Sequence, residues 1–550
     1  MLGGMMESQD PLLMEKHVEL DQGIWTSVKR SPGGHRMATY LREQGYDVEV
    51  IDFWPEWSKY ELLKFFHQRV REDTLVVGIS SMFPIGNMMF PIGNMSRWLG
   101  EKDREKVFNM GRTIDYLRSF YPQLKFIGGA QSLNATLQYD LDFYVTGYAE
   151  YAVIELFKYF KHEFNTLKIK KQRVNGKMLN IIDCQNDYPA FPMPDAAVKY
   201  EERDYIQPQE VLTLELARGC KFKCKFCAYP ILGVKGDYSR CGDSVREELL
   251  ENYKKWGVTN YTVSDETINE TPAKLAKLAN AIKQLPFQPH LAGFIRADLL
   301  INNPETWQDL WDMGLRSHFY GIETFHQPAG KIVGKGVNTD KLKEGLLKVK
   351  AWFKDKEAGR GQYRCNLAII LGLPEETRET FLDGVKWLQT NFPRDSYGIT
   401  ILYLAGPETI HTMQNPSVFD RTWQEEGIFT EMTNAELIEA NKLDPISSDY
   451  IANQLFNSGR LKWSHDTMNI WEAYKVYDEI MTAEDPIRNA GPDVFYYHRF
   501  LTVNKYTIED MYDMAYDDED NDFERMTQTD LDSHHQFIKD YIQKKLTVQR

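Results

Sequence analysis

Three cysteines, Cys220, Cys224 and Cys227, fall within eight positions of the segment RGCKFKCKFCAYP, which spans 218–230. The whole chain of 550 residues holds only 6 cysteines. Arg218, Lys221, Lys223 and Lys225 stand among the thiols and favour thiolates, the form that binds metal. Three thiolates leave one coordination position open. On an iron–sulfur cluster, an open iron is a place to bind a substrate or cofactor. The spacing admits a second chemistry: with Cys241 as fourth ligand the set suits tetrahedral zinc. Cys184 and Cys365 lie outside the motif, and Cys365 falls in an expected strand as a small buried residue. The 12 histidines show no metal-ligand spacing. His318 begins an expected strand and reads as structural. His35 follows Pro32-Gly33-Gly34 at a helix start and faces either a ligand or solvent.

The cysteine loop follows the strand VLTLELARG. From Val211 onward, strands are expected at TNYTVSDE, HLAGFIR, SHFYGIE, YRCNLAIILG and YGITILYL, with helices between them. Six consecutive strand–helix units suggest a parallel barrel or partial barrel, whose chemistry sits at the carboxyl ends of its strands. Ser244 and Glu247 form a capping-box pattern at a helix start, and Gly257 is the expected stop. Thr271 and Pro272 are suitable N-cap and first residues for the helix PAKLAKLANAIKQL, whose apolar stripe is Leu275, Leu278, Ile282 and Leu285.

Before the barrel, residues 35–160 alternate helix and strand. The expected elements are the helix HRMATYLREQG ending at Gly45, the strand YDVEVIDF, a helix around Glu61–Val70, the strand TLVVGIS, a helix around Thr113–Phe120, the strands LKFIGGA and DFYVTG, and a helix from Glu150. Apolar strands between helices imply a parallel sheet covered on both faces. FPIGNMM (83–89) is followed at once by FPIGNMS (90–96), a near-copy with loop chemistry. LKIKKQRVNGKMLNIID reads as a hairpin turning at Asn175-Gly176, and YPAFPMPD as a proline-rich linker. After Gly406-Pro407 the strand signal fades and the rest reads as helical, with YDDEDNDFE (516–524) a solvated acidic loop.

Length places the chain among multidomain proteins. A hydrophobic content of 42% and a charged content of 26% are those of an ordinary globular protein. No apolar run is long enough to cross a bilayer, and MLGGMMESQDPLLMEKH lacks the blocks of a signal peptide. Few, unevenly spaced cysteines point to a reducing compartment, so a cytoplasmic location is expected. A net charge of −15 disfavours long contact with nucleic-acid backbone.

CxxxCxxC with the aromatic Phe226 before its last cysteine resembles the signature of the radical S-adenosylmethionine superfamily. The blocks ELARGCKFKCKFCAYP, SDET, FIRADLL, YGIET with GKGVN, and NLAIILGLPEET are similar to that superfamily's barrel, in the same order. The segments ATYLREQGYDVEVIDF, VVGISS, FIGGA and VTGYAEYAVIELF resemble the cobalamin-binding-type domain of one large subgroup. The resemblance implies an α/β fold: a doubly wound, Rossmann-like domain over 1–165, a hairpin and linker over 166–205, a radical SAM partial (β/α)6 TIM-type barrel over 206–405, and a mainly helical region over 406–550.

The resemblance further implies that Cys220, Cys224 and Cys227 hold a 4Fe–4S cluster and that S-adenosylmethionine chelates its fourth iron. An electron from a donor such as flavodoxin or ferredoxin then releases a 5′-deoxyadenosyl radical that abstracts hydrogen from a substrate. Phe226 would lie near the adenine. Asp265 and Glu266 stand where the family often has a Gly-Gly-Glu segment facing the methionine amino group; here it is Ser264-Asp265-Glu266, so only the acidic partner is kept. Arg296 and Glu323 would contact the methionine or ribose, although Arg296 could instead pair with Asp298 and Glu323 could cap a loop. Gly372 and Pro374 would form a turn near the adenine. Cobalamin would serve methyl transfer. The Asp-x-His-x-x-Gly segment of many cobalamin proteins is absent, which excludes only the mode with histidine on cobalt. The sequence leaves open a cobalamin-free radical enzyme and a catalytically silent cluster-binding protein. It does not name the substrate, and residues 406–550 are the expected source of specificity.

Overall fold

A computed structural model of the chain describes residues 30–53, 57–80, 112–130, 140–174, 176–228, 238–357, 361–393, 395–406, 416–457, 460–482 and 536–547. The doubled FPIGNM segment, Asn175, Pro407 and the acidic run 516–524 lie outside them.

The first sheet has five strands: β1 (Val76–Ser80), β2 (Lys125–Ala130), β3 (Phe143–Thr146), β4 (Lys170–Val174) and β5 (Lys177–Asp183). Their order is β1-β2-β3-β5-β4. All neighbours are parallel except the β4/β5 hairpin. Alternate side chains leave the sheet on opposite faces. Phe126, Tyr144 and Ile181 enter one apolar cluster, while Ile127, Phe143, Val145 and Ile182 enter another. The second face is covered by the helices Pro32–Glu43 and Glu150–Phe160, so the sheet is doubly wound as expected. Ser31 caps the first of these helices by accepting from the Gly34 amide, and Gly45 at φ +83° follows it.

Three expectations change here. Tyr46–Phe53 is not a strand of this sheet; Val50, Ile51 and Phe53 are buried without joining its ladder. The hairpin expected between domains is instead the edge of the first sheet, with Tyr144 in register with Ile181. The cluster on the other face contains Ile538, Tyr541, Ile542 and Leu546, beside Phe53, Trp57, Phe65 and Leu117. The helix 536–547 is therefore part of the first domain's core rather than an appendage of the C-terminal region.

The second sheet has six strands: β6 (Val211–Glu215), β7 (Asn260–Ser264), β8 (His290–Arg296), β9 (Leu315–Glu323), β10 (Arg364–Leu371) and β11 (Ser396–Ile401). Each pairs in parallel only with its sequence neighbours, giving the open order β11-β10-β9-β8-β7-β6 of a partial barrel. Leu212, Leu214, Tyr261, Val263, Leu291, Leu367 and Ile369 join one large core beneath the surrounding helices. The opposite face is mixed. Phe294 and Phe319 meet there beside Ala292, with ring centroids 4.9 Å apart. Elsewhere it carries small residues, the register aligning Thr213 with Thr262, Thr262 with Ala292, Gly321 with Ala368, and Ala368 with Gly398.

Thr271 caps the helix Pro272–Ile282 by accepting from the Lys274 amide, as its sequence predicts. The helix Gly242–Trp256 starts earlier than the Ser244–Glu247 pattern predicts, with Cys241 at its N-cap. The Ser244 hydroxyl is drawn off as an acceptor for Arg240 at 2.9 Å, so no capping box forms. Gly257 ends the helix at φ +72°. The C-terminal region packs the helices Asn434–Leu443, Asp449–Asn457 and Ile470–Met481 onto the barrel core. An unexpected small sheet of β12 (Thr430–Glu431), β13 (Trp463–His465) and β14 (Met468–Asn469) lies among them.

Candidate functional site

The loop carrying Cys220, Cys224 and Cys227 leaves the carboxyl end of β6 through Gly219, whose φ of +118° suits glycine alone. Its entry is pinned by a bridge between Ala217 and Ser239 and by the Arg218 amide donating to the Tyr238 carbonyl at 3.0 Å. The loop then turns, with the Cys227 amide donating to the Cys224 carbonyl at 3.1 Å. The Lys225 amide donates to the Val333 carbonyl at 3.2 Å, and the Lys225 carbonyl accepts from the Phe419 amide at 2.9 Å. Thus the turn after β9 and the C-terminal region both hold the cysteine loop.

All three thiols are half-buried. Cys220 Sγ is 3.4 Å from Thr267 Oγ1. Cys224 Sγ is 3.5 Å from Arg296 Nη1. Burial pushes the Cys224 thiol up, while Lys335 and Arg296 act in the opposite direction. A negatively charged group gripped by these sulfurs would meet two cations on one side, so the donor set fits an iron–sulfur cluster. Cys241 is exposed at its helix N-cap. Among the described residues, no three His, Cys, Asp or Glu side chains converge to hold a single metal ion.

The structure distributes the other candidate residues unevenly. Arg296, at the end of β8, makes the pair with Asp298 that its sequence allowed and also faces the cysteine loop. Its Nε lies 2.8 Å from Asp298 Oδ1, its Nη1 faces Cys224, and its guanidinium lies 4.1 Å from the Phe222 ring centroid. Glu323, at the end of β9, is buried at φ +67°, a strained conformation for a non-glycine residue. Its Oε1 receives Lys335 Nζ at 2.5 Å. Gly321 makes room for this pair, since a Cβ there would lie 2.7 Å from Glu323 Oε1 and 2.9 Å from Lys335 Nζ.

Asp265 is committed elsewhere: Lys274 Nζ lies 2.6 Å from its Oδ2, and its Oδ1 accepts from the Thr267 amide at 2.9 Å. Glu266 keeps open surface at the end of its strand, while protein crowds its carboxyl. Burial and the neighbouring Asp265 raise that carboxyl to about 7. Of the two, Glu266 is the acid that faces open space. Phe226 packs half-buried against the barrel core. Gly372 forms the expected turn at φ +92°, but the C-terminal region covers it. A Cβ on Gly372 would lie 2.3 Å from Trp463 Cη2, and His465 Nε2 donates to its carbonyl at 3.1 Å.

Sequence reasoning missed Lys335, Thr267 and Glu376. Lys335 lay within the quoted block GKGVN, but a lone lysine in a loop carries no signal of its partner. Glu376 is buried, accepts from the Thr324 hydroxyl, and is raised to about 8 by burial. His35 faces neither ligand nor solvent: its Nε2 lies 2.8 Å from Asp52 Oδ2 in the domain interior. His318 and Cys365 are buried, as the sequence suggested.

Residues 214–388 match the family model of the Radical SAM superfamily, and this stretch contains the cysteine loop and strands β7–β10. No curated protein sequence matches the chain. Two solved structures resemble its fold over nearly its whole length. One is the radical S-adenosylmethionine methyltransferase TsrM from Kitasatospora setae with cobalamin and a [4Fe–4S] cluster bound, at 15% identity and a TM-score of 0.56, covering 93% of this chain and 96% of that one. The other is the cobalamin-dependent S-adenosylmethionine radical enzyme OxsB with aqua-cobalamin and S-adenosylmethionine bound, at 12% identity and a TM-score of 0.50, covering 94% and 76%.

Proposed function

We propose that this chain, whose barrel is a radical SAM domain, is an enzyme that holds a 4Fe–4S cluster on Cys220, Cys224 and Cys227 and cleaves S-adenosylmethionine reductively to act on a substrate. One observation carries the reading: three thiols at the carboxyl end of the first barrel strand, with Arg296 and Lys335 beside Cys224. The cluster supplies the electron that breaks the sulfonium bond when bound. The chain's own residues do the rest. Arg296 and Lys335 offset negative charge at Cys224 and orient the loop. Glu266 offers a carboxylate to a cationic amine in the cavity. Gly321 and Glu323 hold Lys335 in place. The small residues Thr213, Thr262, Gly321, Ala368 and Gly398 of the inner face would leave space for the nucleoside and substrate beside Phe294 and Phe319.

We further infer that the first domain carries cobalamin and that the reaction is methyl transfer. The fold shared with TsrM and OxsB over nearly the whole chain supports this, as does a parallel sheet whose strand ends form a crevice. A cobalamin-free first domain is the second reading, which the sequence leaves open; the missing Asp-x-His-x-x-Gly segment excludes only histidine on cobalt. An electron donor such as flavodoxin or ferredoxin would supply the reducing equivalent. Among the described residues no helix is long and apolar enough to cross a membrane.

Two measurements on anaerobically reconstituted protein test the reading. Reduced protein given S-adenosylmethionine should yield 5′-deoxyadenosine and methionine; absence of both products from iron-loaded protein would overturn the activity. Hydroxocobalamin added before desalting should leave a stoichiometric corrin band; its absence with cleavage intact would support the second reading.

A further inference from the structure

The first domain and the barrel meet at a buried ion pair. Glu150 is the first residue of the helix that follows β3, beyond Gly147 and Tyr148. Arg218 stands two residues before Cys220, beyond the end of β6. Glu150 Oε1 lies 2.7 Å from Arg218 Nη1, and the side chains are 2% and 6% exposed. Arg218 also grips Glu215, Nε to Oε1 at 2.8 Å and Nη2 to Oε2 at 3.0 Å. Its guanidinium lies 4.3 Å from the Tyr148 ring centroid. Arg36 reaches the same Glu150 oxygen at 3.4 Å and lies 4.8 Å from the Phe191 ring centroid. Burial alone would weaken the Arg218 charge, but Glu215 and Glu150 more than offset it.

Each partner belongs to the working end of its own sheet. Gly147 and Tyr148 form the strand-end loop of β3, where an open parallel sheet receives its ligand. Arg218 joins the last residue of β6 to the cysteine loop through Gly219. We propose that the Arg218–Glu150 pair sets the strand-end face of the first sheet against the cysteine loop, which makes Arg218 a positioning residue for whatever passes between them. This rests on the radical SAM reading of that loop. Glu215 holds the planar fork by two hydrogen bonds while Glu150 meets its remaining nitrogen as a charge partner, a three-way arrangement that a lysine cannot make. Arg218 Nη1, Glu150 Oε2 and Arg36 Nη2 are all buried there without a hydrogen-bond partner among the described residues, so the contact between Arg218 and Glu150 is one of charge.

The test is a distance between the two domains. A nitroxide on Phe164→Cys, at a position 90% exposed in the first domain, is paired with one on exposed Cys241 in the barrel. Pulsed electron resonance is run on reconstituted full-length protein. With Glu150 intact, one narrow distance distribution is expected. Glu150→Gln should broaden it at least about two-fold, and Arg218→Lys should broaden it less, while Glu150→Gln keeps iron content and 5′-deoxyadenosine formation within about two-fold. An unchanged distribution in both variants overturns the inference. So does loss of iron in Glu150→Gln, which would make the pair a determinant of cluster assembly. Lack of cleavage in the parent protein, with the distances responding as stated, would count against the radical SAM reading and leave the joint standing.

Discussion

The Tyr541 hydroxyl accepts a 3.0 Å hydrogen bond from the backbone amide of Asp52, 489 positions earlier in the chain. Around it, Asp52 holds both Arg30 and His35 at 2.8 Å, and Arg30 reaches on to Glu210 at 2.6 Å. Lys545, buried on the same helix, lies 3.1 Å from Glu49. The two ends of the described chain and the segment entering the barrel thus share one buried polar network.

Loosening that helix should destabilise the first domain. Tyr541→Phe leaves the buried Asp52 amide short of its partner and should cost about 1–3 kcal/mol. Ile542→Ala, inside the same apolar cluster, should cost about 2–5 kcal/mol. Urea unfolding followed by fluorescence of Trp57 against the barrel tryptophans checks both. An unchanged first transition would mean that the helix is dispensable.

Alanine at Cys220, Cys224 and Cys227 together should abolish iron binding after anaerobic reconstitution, whereas Cys241→Ala should leave about four irons per chain. Iron assay and absorbance near the cluster bands decide this. Zinc bound in a Cys241-dependent manner would return the site to its structural alternative.

Lys335→Met should do two things. It removes a cation beside Cys224 and strands the buried Glu323 carboxylate. A nearby positive charge favours the more negative, reduced state of a cluster, so the reduction potential should fall, by an amount on the order of tens of millivolts. Lys335→Arg should recover part of the shift. Redox titration monitored by electron resonance reads it directly, and an unmoved potential would remove Lys335 from the site.

Glu376 gives a pH dependence. Its carboxyl is raised from 4.5 to about 8 by burial, so the folded state resists its ionisation. Its contribution to stability is intact below the unfolded value and declines as pH rises from about 4.5 to 8. Glu376→Gln should therefore change the melting temperature little at pH 5 and raise it clearly at pH 8. Equal shifts at both pH values would contradict the protonated state.

The barrel was legible because its signals are local. Strand β8 begins and ends where HLAGFIR does, and Thr271-Pro272 caps its helix as those residues dictate. The cysteine triad stood out by its spacing, but spacing alone also admitted zinc with Cys241, and only the ordered neighbouring blocks favoured a cluster. What escaped depended on partners distant in sequence. Nothing in SDET says that Lys274 will claim Asp265, leaving Glu266 as the open acid. Nothing in GKGVN says that Lys335 will reach Glu323. Tyr46–Phe53 has strand periodicity, yet its burial is completed by a helix hundreds of residues away, and local pattern cannot show that. Residues 406–550 were expected to govern specificity; the structure uses part of them to cover Gly372 through Trp463 and part to complete the first domain.

The helix 536–547 also orders the birth of the protein. A ribosome releases the first domain's strands early and that helix late, so one face of the N-terminal sheet emerges only partly covered while the barrel is still being made. The barrel, whose core among the described residues draws on residues 198–480, can condense first. During that interval Phe53, Trp57 and Phe65 wait for Tyr541 and Ile542, and the helix 536–547 then acts as the closing stitch of the first domain's core.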